Sequence, residues 1–551
     1  MPAPAARPLL TLLVPCALGA AAAGQSATPL VVEGDVVSGV GAVTSIQNLA
    51  VNSSGSWIVE HDTDNPDTNV DSALIQGGAL LLQEGQALAA PSGATIDTFD
   101  AVTLNANGDS AWNLFLDGTS GSSDDSGIFF NGTLVIQESD VSTATGFSVG
   151  TPYIGFFETK FNAAGQILVM ASVDDPAIGS SVDRALVIAA VDGTGNLLSE
   201  TVLYKEGDVL PGQVDALADF GTGPHAFDLN EAGSVLYIAD LGGPTTTDGC
   251  IYLDGALLAQ EGGPSPLPGR NWLSLSTSNR VALGDGGDYV FTGSLDGSTA
   301  DNSVIVLNGA VFRQEGESLP AFAPHLLTSF GSGPVDVDDA GNVLWYGDWD
   351  DPDTTRDTGL LLNDTLLVQE GVTVINGQVV DSLRGVQDGY ALSPDGGYVV
   401  FEATLANGLE GAFLIDLSGC PPPVTYCTAS STSIPGCAAS ISSTGSPALS
   451  DPTAFQLRSG NVPGSTIGLA YFSQNGRASI PFGTQGGLLC VQFPGYRSGG
   501  KPSGGNLGVC NGQYVFTLQD LIDKGSVIFT VGNTINAAMW FRDPANADGF
   551  A

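Results

Sequence analysis

The chain has 551 residues, 43% of them hydrophobic, which is ample for more than one buried core. Against 15 Lys and Arg stand 59 Asp and Glu, a formal charge of −44. Such an acidic surface repels phosphate backbones and anionic lipid, so nucleic-acid binding is excluded and solubility, cations or basic partners are favoured.

Residues 1–23 read as a secretory signal: Arg7, the apolar run Leu9–Leu18, then small residues to Gly24. That run is too short to cross a bilayer, and no later segment reaches the required length. The expectation is an exported protein with no integral membrane segment.

Residues 24–418 carry one block of about fifty-five residues seven times over, a period typical of propellers and other arrays. One anchor is an apolar strand ending in Glu-Gly: Glu33-Gly34, Glu84-Gly85, Glu138-Ser139, Glu206-Gly207, Glu261-Gly262, Glu315-Gly316 and Glu370-Gly371. The other is an Asn-x-x-Gly turn or a looser form of it, with Gly55, Gly108, Gly165, Gly233, Gly287, Gly341 and Gly396. In the second copy Phe99–Leu104, Ser110–Leu116, Gly127–Phe130 and Thr133–Gln137 read as four strands, the last two joined at Asn131-Gly132. Asn-Gly suits a two-residue hairpin because both turn residues take positive φ. Four antiparallel strands per unit make one propeller blade.

The last copy, over residues 385–417, supplies three strands, Val386–Leu392, Tyr398–Ala403 and Gly411–Leu417. Its fourth stands at the other end of the chain, as Leu30–Gly34. Pairing the two would remove the exposed edges of an open array. The expected fold is therefore all-β: a seven-bladed β-propeller closed by an N-terminal strand, with an open β-solenoid as the alternative.

A Pro-rich linker at 419–424 leads to residues 425–551, which read as a small β-sandwich-like domain with one short helix at Leu518–Lys524. Cys250 stands alone in the repeats and reads as a small buried residue. An oxidising compartment permits disulfides among the later cysteines, and the sequence-local pairs Cys427–Cys437 and Cys490–Cys510 are expected. Zinc is the weaker alternative, because no Cys-x-x-Cys is present and no histidine follows His325.

Asn105-Ala106-Asn107-Gly108-Asp109-Ser110-Ala111-Trp112 resembles the repeat of the NxxGxxAF tandem-repeat proteins secreted by bacteria, with looser copies at Asp285–Phe291 and Pro394–Phe401. The segment from Thr425 to Pro544 is similar to a terminal domain appended to exported proteins of aquatic bacteria. Both resemblances imply export and an extracellular or cell-surface life, and neither implies an activity.

Candidate chemistry is sparse. Gly146-Phe147-Ser148-Val149-Gly150 matches a nucleophile elbow, but that motif needs a strand-to-helix turn and here falls in a loop of an all-β repeat. The seven repeated glutamates read as turn caps, since a feature shared by every copy is architecture. His61, His225 and His325 occupy different repeat positions, which argues against a metal trio. The acidic loops are the stronger lead: Asp62, Asp64, Asp67, Asn69 and Asp71 in one, Asp348, Asp350, Asp351 and Asp353 in another. Oxygen-rich spacing of this kind suits Ca²⁺, the alternative being a solvated acidic surface; no other cofactor is expected. The expected function is an exported, non-catalytic binding or structural propeller working through its acidic loop face on glycan, matrix or a basic protein surface. The alternative is a propeller-type polysaccharide hydrolase or lyase. That reading requires polar groups peculiar to one or two blades and gathered at the channel, whereas Arg270, Trp272, Trp345 and Arg384 are singular but scattered along the chain.

Overall fold

The computed structural model describes residues 27–179, 183–386, 388–417, 432–444, 452–453, 455–474, 476–482, 487–523, 535–543 and 545. The expected signal, the linker and Cys427 lie outside these residues. Two compact units are present, one of Ala22–Leu417 and one containing Ser418–Ala551. Both are built of strands, and the described residues include a single α-helix, Leu518–Ile522.

Ala22–Leu417 folds into seven antiparallel sheets that follow one another along the chain. The second is representative: Thr95–Leu104, Ser110–Asp117, Ser126–Phe130 and Thr133–Gln137 pair in sequence order. In the seventh, Thr28–Val32 adds to Glu410–Asp416, so the N-terminal strand completes the last sheet. Apolar clusters fill the spaces between successive sheets. One joins Ile58 and Leu74 of the first to Trp112 and Leu114 of the second. Another joins Val400 and Ala412 of the seventh to Val43 and Val59 of the first. The innermost strand of each sheet neighbours that of the next, and Tyr390–Leu392 neighbours Gly41–Val51, so the inner strands form a closed circle.

The two anchors of the repeat have distinct jobs. In six copies the Glu N–H donates to the carbonyl of the third strand's first residue, Glu33 reaching Glu410 as Glu84 reaches Ser72, and in the third copy Glu206 donates to that of the second residue, Arg184 (2.8–3.2 Å throughout). The residue after it donates to the first strand of the next sheet (2.7–2.9 Å). It does so at φ between 67° and 89°, which is why six copies use Gly there and only Ser139 departs. The carboxylates of Glu84, Glu261 and Glu315 also accept the backbone N–H at the start of the third strand. The Asn of the turn accepts from its own loop and donates onward. Asn52 reaches the Asn105 carbonyl, Asn105 that of Asn162, Asn162 that of Asn230, and Asn230 that of Gly284. The run stops at Gly284, where a Cβ would stand 2.9 Å from the Asp338 carbonyl oxygen.

The seventh sheet differs from expectation at its inner edge. Val386–Leu392 is not one strand: Gln378–Leu383 and Tyr390–Leu392 are separated by a turn holding Asp388 at φ 59°.

In the C-terminal unit, Ser440–Thr444, Gln456–Val462 and Gly512–Thr517 form one sheet, and Ile467–Ser473 pairs with Asn536–Phe541 in another. Phe472, Tyr514, Phe516 and Phe541 pack in its core. The helix starts at a capping box between Thr517 and Asp520. The expected cysteine pairing is corrected here: Cys437 bonds Cys510, not Cys427, and Cys490 is disulfide-bonded to neither of them. Sequence proximity misled, because Cys437 and Cys510 flank Asn461, whose carbonyl lies beside both sulfurs. Cys250 is free and buried.

Candidate functional site

The inner strands form a closed circle about a channel, and one repeat position near their ends differs from copy to copy. Each inner strand ends on a residue paired with the start of the second strand: Val51, Leu104, Phe161, Leu229, Leu283, Val337 and Leu392. The residues just before these are Ala50, Thr103, Lys160, Asp228, Ala282, Asp336 and Ala391. Four copies are small and three are charged, so the sevenfold likeness of the frame is broken at its centre.

Lys160 is the hub. Burial disfavours its ammonium, but Glu158, Asp228, Asp388 and Asp336 outweigh that and hold its pKa above the ordinary value. Those carboxylates come from the third, fourth, seventh and sixth sheets. It forms no hydrogen bond or ion pair among the described residues. Asp228 is committed through both oxygens, to the backbone N–H of Leu229 and that of Leu283 in the next inner strand, each at 2.8 Å. Asp336 accepts the Leu392 N–H at 3.0 Å through one oxygen, and among the described residues the other has no hydrogen-bond partner. Burial raises the pKa of both, against the pull of Lys160. Glu158, 7% exposed, is pushed up to about 8 by burial, so it holds its proton at neutral pH.

Across the channel His225 Nε2 lies 3.3 Å from Asp388 Oδ1. Burial would raise the Asp388 pKa, but His225 and Lys160 together hold it below the ordinary carboxylate value. A non-glycine residue with positive φ, half-buried and facing a histidine, is the kind of strain found at working sites. Tyr390 fixes this turn by donating to the Pro334 carbonyl at 2.6 Å. Toward the Asn-x-x-Gly turns the channel opens into a cavity of about 150 Å³, lined by Asp228, Asp336, Glu231 and Asp285 and walled by Leu104, Phe161, Leu229, Leu283, Val337 and Leu392.

The acidic loops do not converge on this centre. Asp62 accepts from Ser45 and Gln47, Asp64 from the Ala42 N–H, and Asp67 from Asn69. Asp71 adjoins Glu84 and contributes to raising the Glu84 pKa to about 7, after burial. In the sixth sheet Asp348 accepts from Thr328 and Asp350 from the Leu326 N–H. Asp351 and Asp353 flank Arg356 at 3.2 and 3.5 Å, and His325 stands 3.6 Å from Asp350 and 3.4 Å from Asp351. Among the described residues no group of three or more His, Cys, Asp or Glu is placed to hold a metal ion. His61 is fully buried in Trp57–Thr63, far along the frame from the other two histidines. Ser148 sits in a loop, its N–H on Asp175. Arg384, singular in the sequence, binds Glu402 at 2.6 Å and the Ile46 carbonyl at 3.3 Å, on the junction of the seventh and first sheets.

A model for a family of unknown function (DUF7453) matches residues 17–201. No curated protein matches. Among solved structures the chain is similar to an α-L-arabinanase of Penicillium chrysogenum complexed with arabinobiose, at 10% identity and TM-score 0.27, over 71% of this chain and 98% of that one. It is similar also to a puromycin-hydrolyzing peptidase of Mycobacterium tuberculosis, at 12% identity and TM-score 0.33, over 79% and 62%. A calcium-binding regucalcin of Agrobacterium tumefaciens matches at 10% identity and TM-score 0.24, over 60% and 94%. Likeness at these scores carries no argument about activity.

Proposed function

We propose that this is an exported binding protein: a closed seven-bladed β-propeller whose ligand sits at the charged centre of the channel. The observation that carries the reading is the uncommitted Lys160 ammonium, at a position where the first, second, fifth and seventh copies have Ala or Thr. A frame residue would repeat; a ligand-contacting residue breaks the repeat. Binding is favoured over catalysis because the Asp228 carboxylate is held by two backbone N–H groups and Asp336 by one, which makes them fixed acceptors rather than free nucleophiles. Export is supported by the Cys437–Cys510 disulfide, a bond that persists in oxidising compartments. Outside the cell the partner remains a glycan, matrix component or basic surface, met through the channel mouth.

The test pairs a thermal-shift screen of small polar molecules with assays for new reducing ends or unsaturated products on polysaccharides. Stabilisation that disappears in Lys160→Ala, with no product released, is expected. Product release that is lost in Glu158→Gln would make the protein an enzyme and sink the non-catalytic reading.

A further inference from the structure

The outer end of the channel, at the Asn-x-x-Gly turns, has a chemistry of its own. Its cavity of about 150 Å³ is lined by Asp228, Glu231, Asp285 and Asp336, and by no lysine, arginine or histidine. Asp228 and Asp336 stand in inner strands, while Glu231 and Asp285 take the second position of their turns. At that turn position the fourth, fifth and sixth copies are acidic, with Glu231, Asp285 and Asp339, whereas the first three carry Ser53, Ala106 and Ala163. The acidity is thus confined to one arc and is not part of the repeated frame.

Backbone donors fix these carboxylates. Glu231 accepts the Ala163 N–H at 2.6 Å and Asp285 the Glu231 N–H at 2.7 Å, beside the bonds of Asp228 and Asp336 given above. Among the described residues none of the four is in an ion pair, and one oxygen of Asp336 has no hydrogen-bond partner. Lys160 precedes Phe161 of the lining but is not itself part of it, and a single ammonium is outnumbered by four carboxylates. Burial lifts Asp228, Glu231 and Asp336 above the ordinary carboxylate value, as expected of carboxylates short of counter-charge. A cleft of one sign with apolar walls concentrates its field at the opening. That field repels anions, and a neutral guest leaves it uncompensated. A metal ion gains nothing from the apolar walls, and no described group of three or more carboxylates is placed to hold one.

We propose that this outer cavity binds a small organic cation, a primary amine on a short aliphatic stem. The ammonium has three hydrogens to donate, one of them to the unpartnered Asp336 oxygen and the others to remaining lone pairs of Asp228, Glu231 or Asp285. The stem lies against Leu104, Phe161, Leu283 and Val337, as the stems of lysines lie on apolar surface. A cavity of this volume can hold a benzene-sized molecule, so the guest has on the order of six heavy atoms. This site does not depend on what occupies the channel centre.

Isothermal titration calorimetry on the intact protein decides this at constant ionic strength. The probes are butylamine and putrescine, with butane-1,4-diol, succinate, Mg²⁺ and Ca²⁺ as the neutral, anionic and metal arms. One of the amines should bind saturably at one site. The double variant Glu231→Gln with Asp285→Asn, and separately Asp336→Asn, should each weaken it about tenfold or more, the scale of one lost bond to a charged group. Each replacement keeps an oxygen for the backbone donor, melting temperatures report whether the frame survives, and either folded variant suffices. Asp64→Asn removes the same charge from an acidic loop and should leave the amine affinity unchanged. An equal loss in Asp64→Asn would show that the amine answers only to net charge and would overturn the proposal. So would binding of the diol or succinate as tight as that of the amines, or the absence of saturable amine binding. Tighter binding of Mg²⁺ or Ca²⁺ with the same sensitivity to Asp336→Asn would overturn the organic class in favour of a metal ion.

Discussion

The joints between sheets and the centre of the channel lie on the same seven repeats and follow opposite rules. At the joints every copy does the same thing: Glu turns back to its own sheet and the next residue hands over to the following one. At the centre, equivalent positions hold Lys160, Asp228 and Asp336 in three copies and Ala or Thr in four. Repetition at the joints lets each unit bury faces that it could not bury alone. Departure from repetition at the centre has no such benefit, since charges on a shared axis cost desolvation. A position that costs stability and differs between copies is where function is to be sought.

The largest effect should come from opening the circle. Deleting residues 27–34 removes the strand paired to Glu410–Asp416, the Glu33 and Gly34 joint bonds, and Val31, which is 3% exposed in the core between the seventh and first sheets. Losing one such buried aliphatic side chain alone costs about 2 kcal/mol or more. The deletion should therefore lower the melting temperature of the whole repeat unit. An unchanged transition would mean that the other joints hold without closure.

The joints can be compared with one another by adding a single methyl group. At Gly34 (φ 89°) a Cβ meets nothing within 4 Å, so Gly34→Ala should cost about 1 kcal/mol, the steric penalty of the left-handed conformation. At Gly371 (φ 67°) the same Cβ falls on the Thr355 carbonyl oxygen. Gly371→Ala should cost about 3 kcal/mol, because backbone must move as well. Equal denaturation midpoints for the two variants would show that the joint turns are not read out by stability.

Much of the frame is legible in the sequence because it is written seven times. Glu-Gly and Asn-x-x-Gly mark two backbone positions where only certain residues fit, and the missing fourth strand of the last copy stands at the other end of the chain. The centre is hard to read for the opposite reason. Lys160 in Phe-Glu-Thr-Lys-Phe and Asp228 in Phe-Asp-Leu are charges in apolar strands of consecutive sheets, and nothing within either strand marks it as facing the centre. Aligning the copies on the last apolar residue of the inner strand would have revealed them. Asp388 escapes even that, because its turn interrupts a run that reads as one strand. The cysteines mislead through distance along the chain: Cys437 and Cys510 are 73 residues apart, yet both stand beside Asn461.

Titration separates the two regions by pH. Burial pushes the carboxyl groups of Glu60, Glu158 and Glu402 up to about 8 from an ordinary value of 4.5. A carboxyl group whose pKa is higher in the folded state binds its proton more tightly there. Its contribution is complete below the unfolded value and is lost as the pH climbs through about 8. The repeat unit should therefore melt at a higher temperature at pH 5.5 than at pH 8.5. Asp175, held at about 2 despite burial by Lys205 and its loop, acts in the other direction only in strong acid. Glu158→Gln should flatten the profile without touching the joints. A profile that rises from pH 5.5 to 8.5 would count against a protonated Glu158 at the centre.

The smallest effect is expected at the acidic loops, which belong neither to the joints nor to the centre. Asp64 already accepts the Ala42 N–H at 2.8 Å, and Asp67 accepts both the N–H and the side-chain amide of Asn69. Asp351 and Asp353 share Arg356. An ion arriving here must compete with donors in place, and it gains only from relieving repulsion between partly solvated carboxylates. Exposed charge interactions of that kind contribute about 0–1 kcal/mol. Ca²⁺ at millimolar concentration should thus raise the melting temperature slightly above Na⁺ at equal ionic strength, by mass action on the folded loops. Replacing Asp64 and Asp67 together by Ala should abolish the difference and leave the affinity of the channel for its ligand intact. A large Ca²⁺ shift that survives the double replacement would place the ion elsewhere, and the channel carboxylates would then be the first residues to substitute.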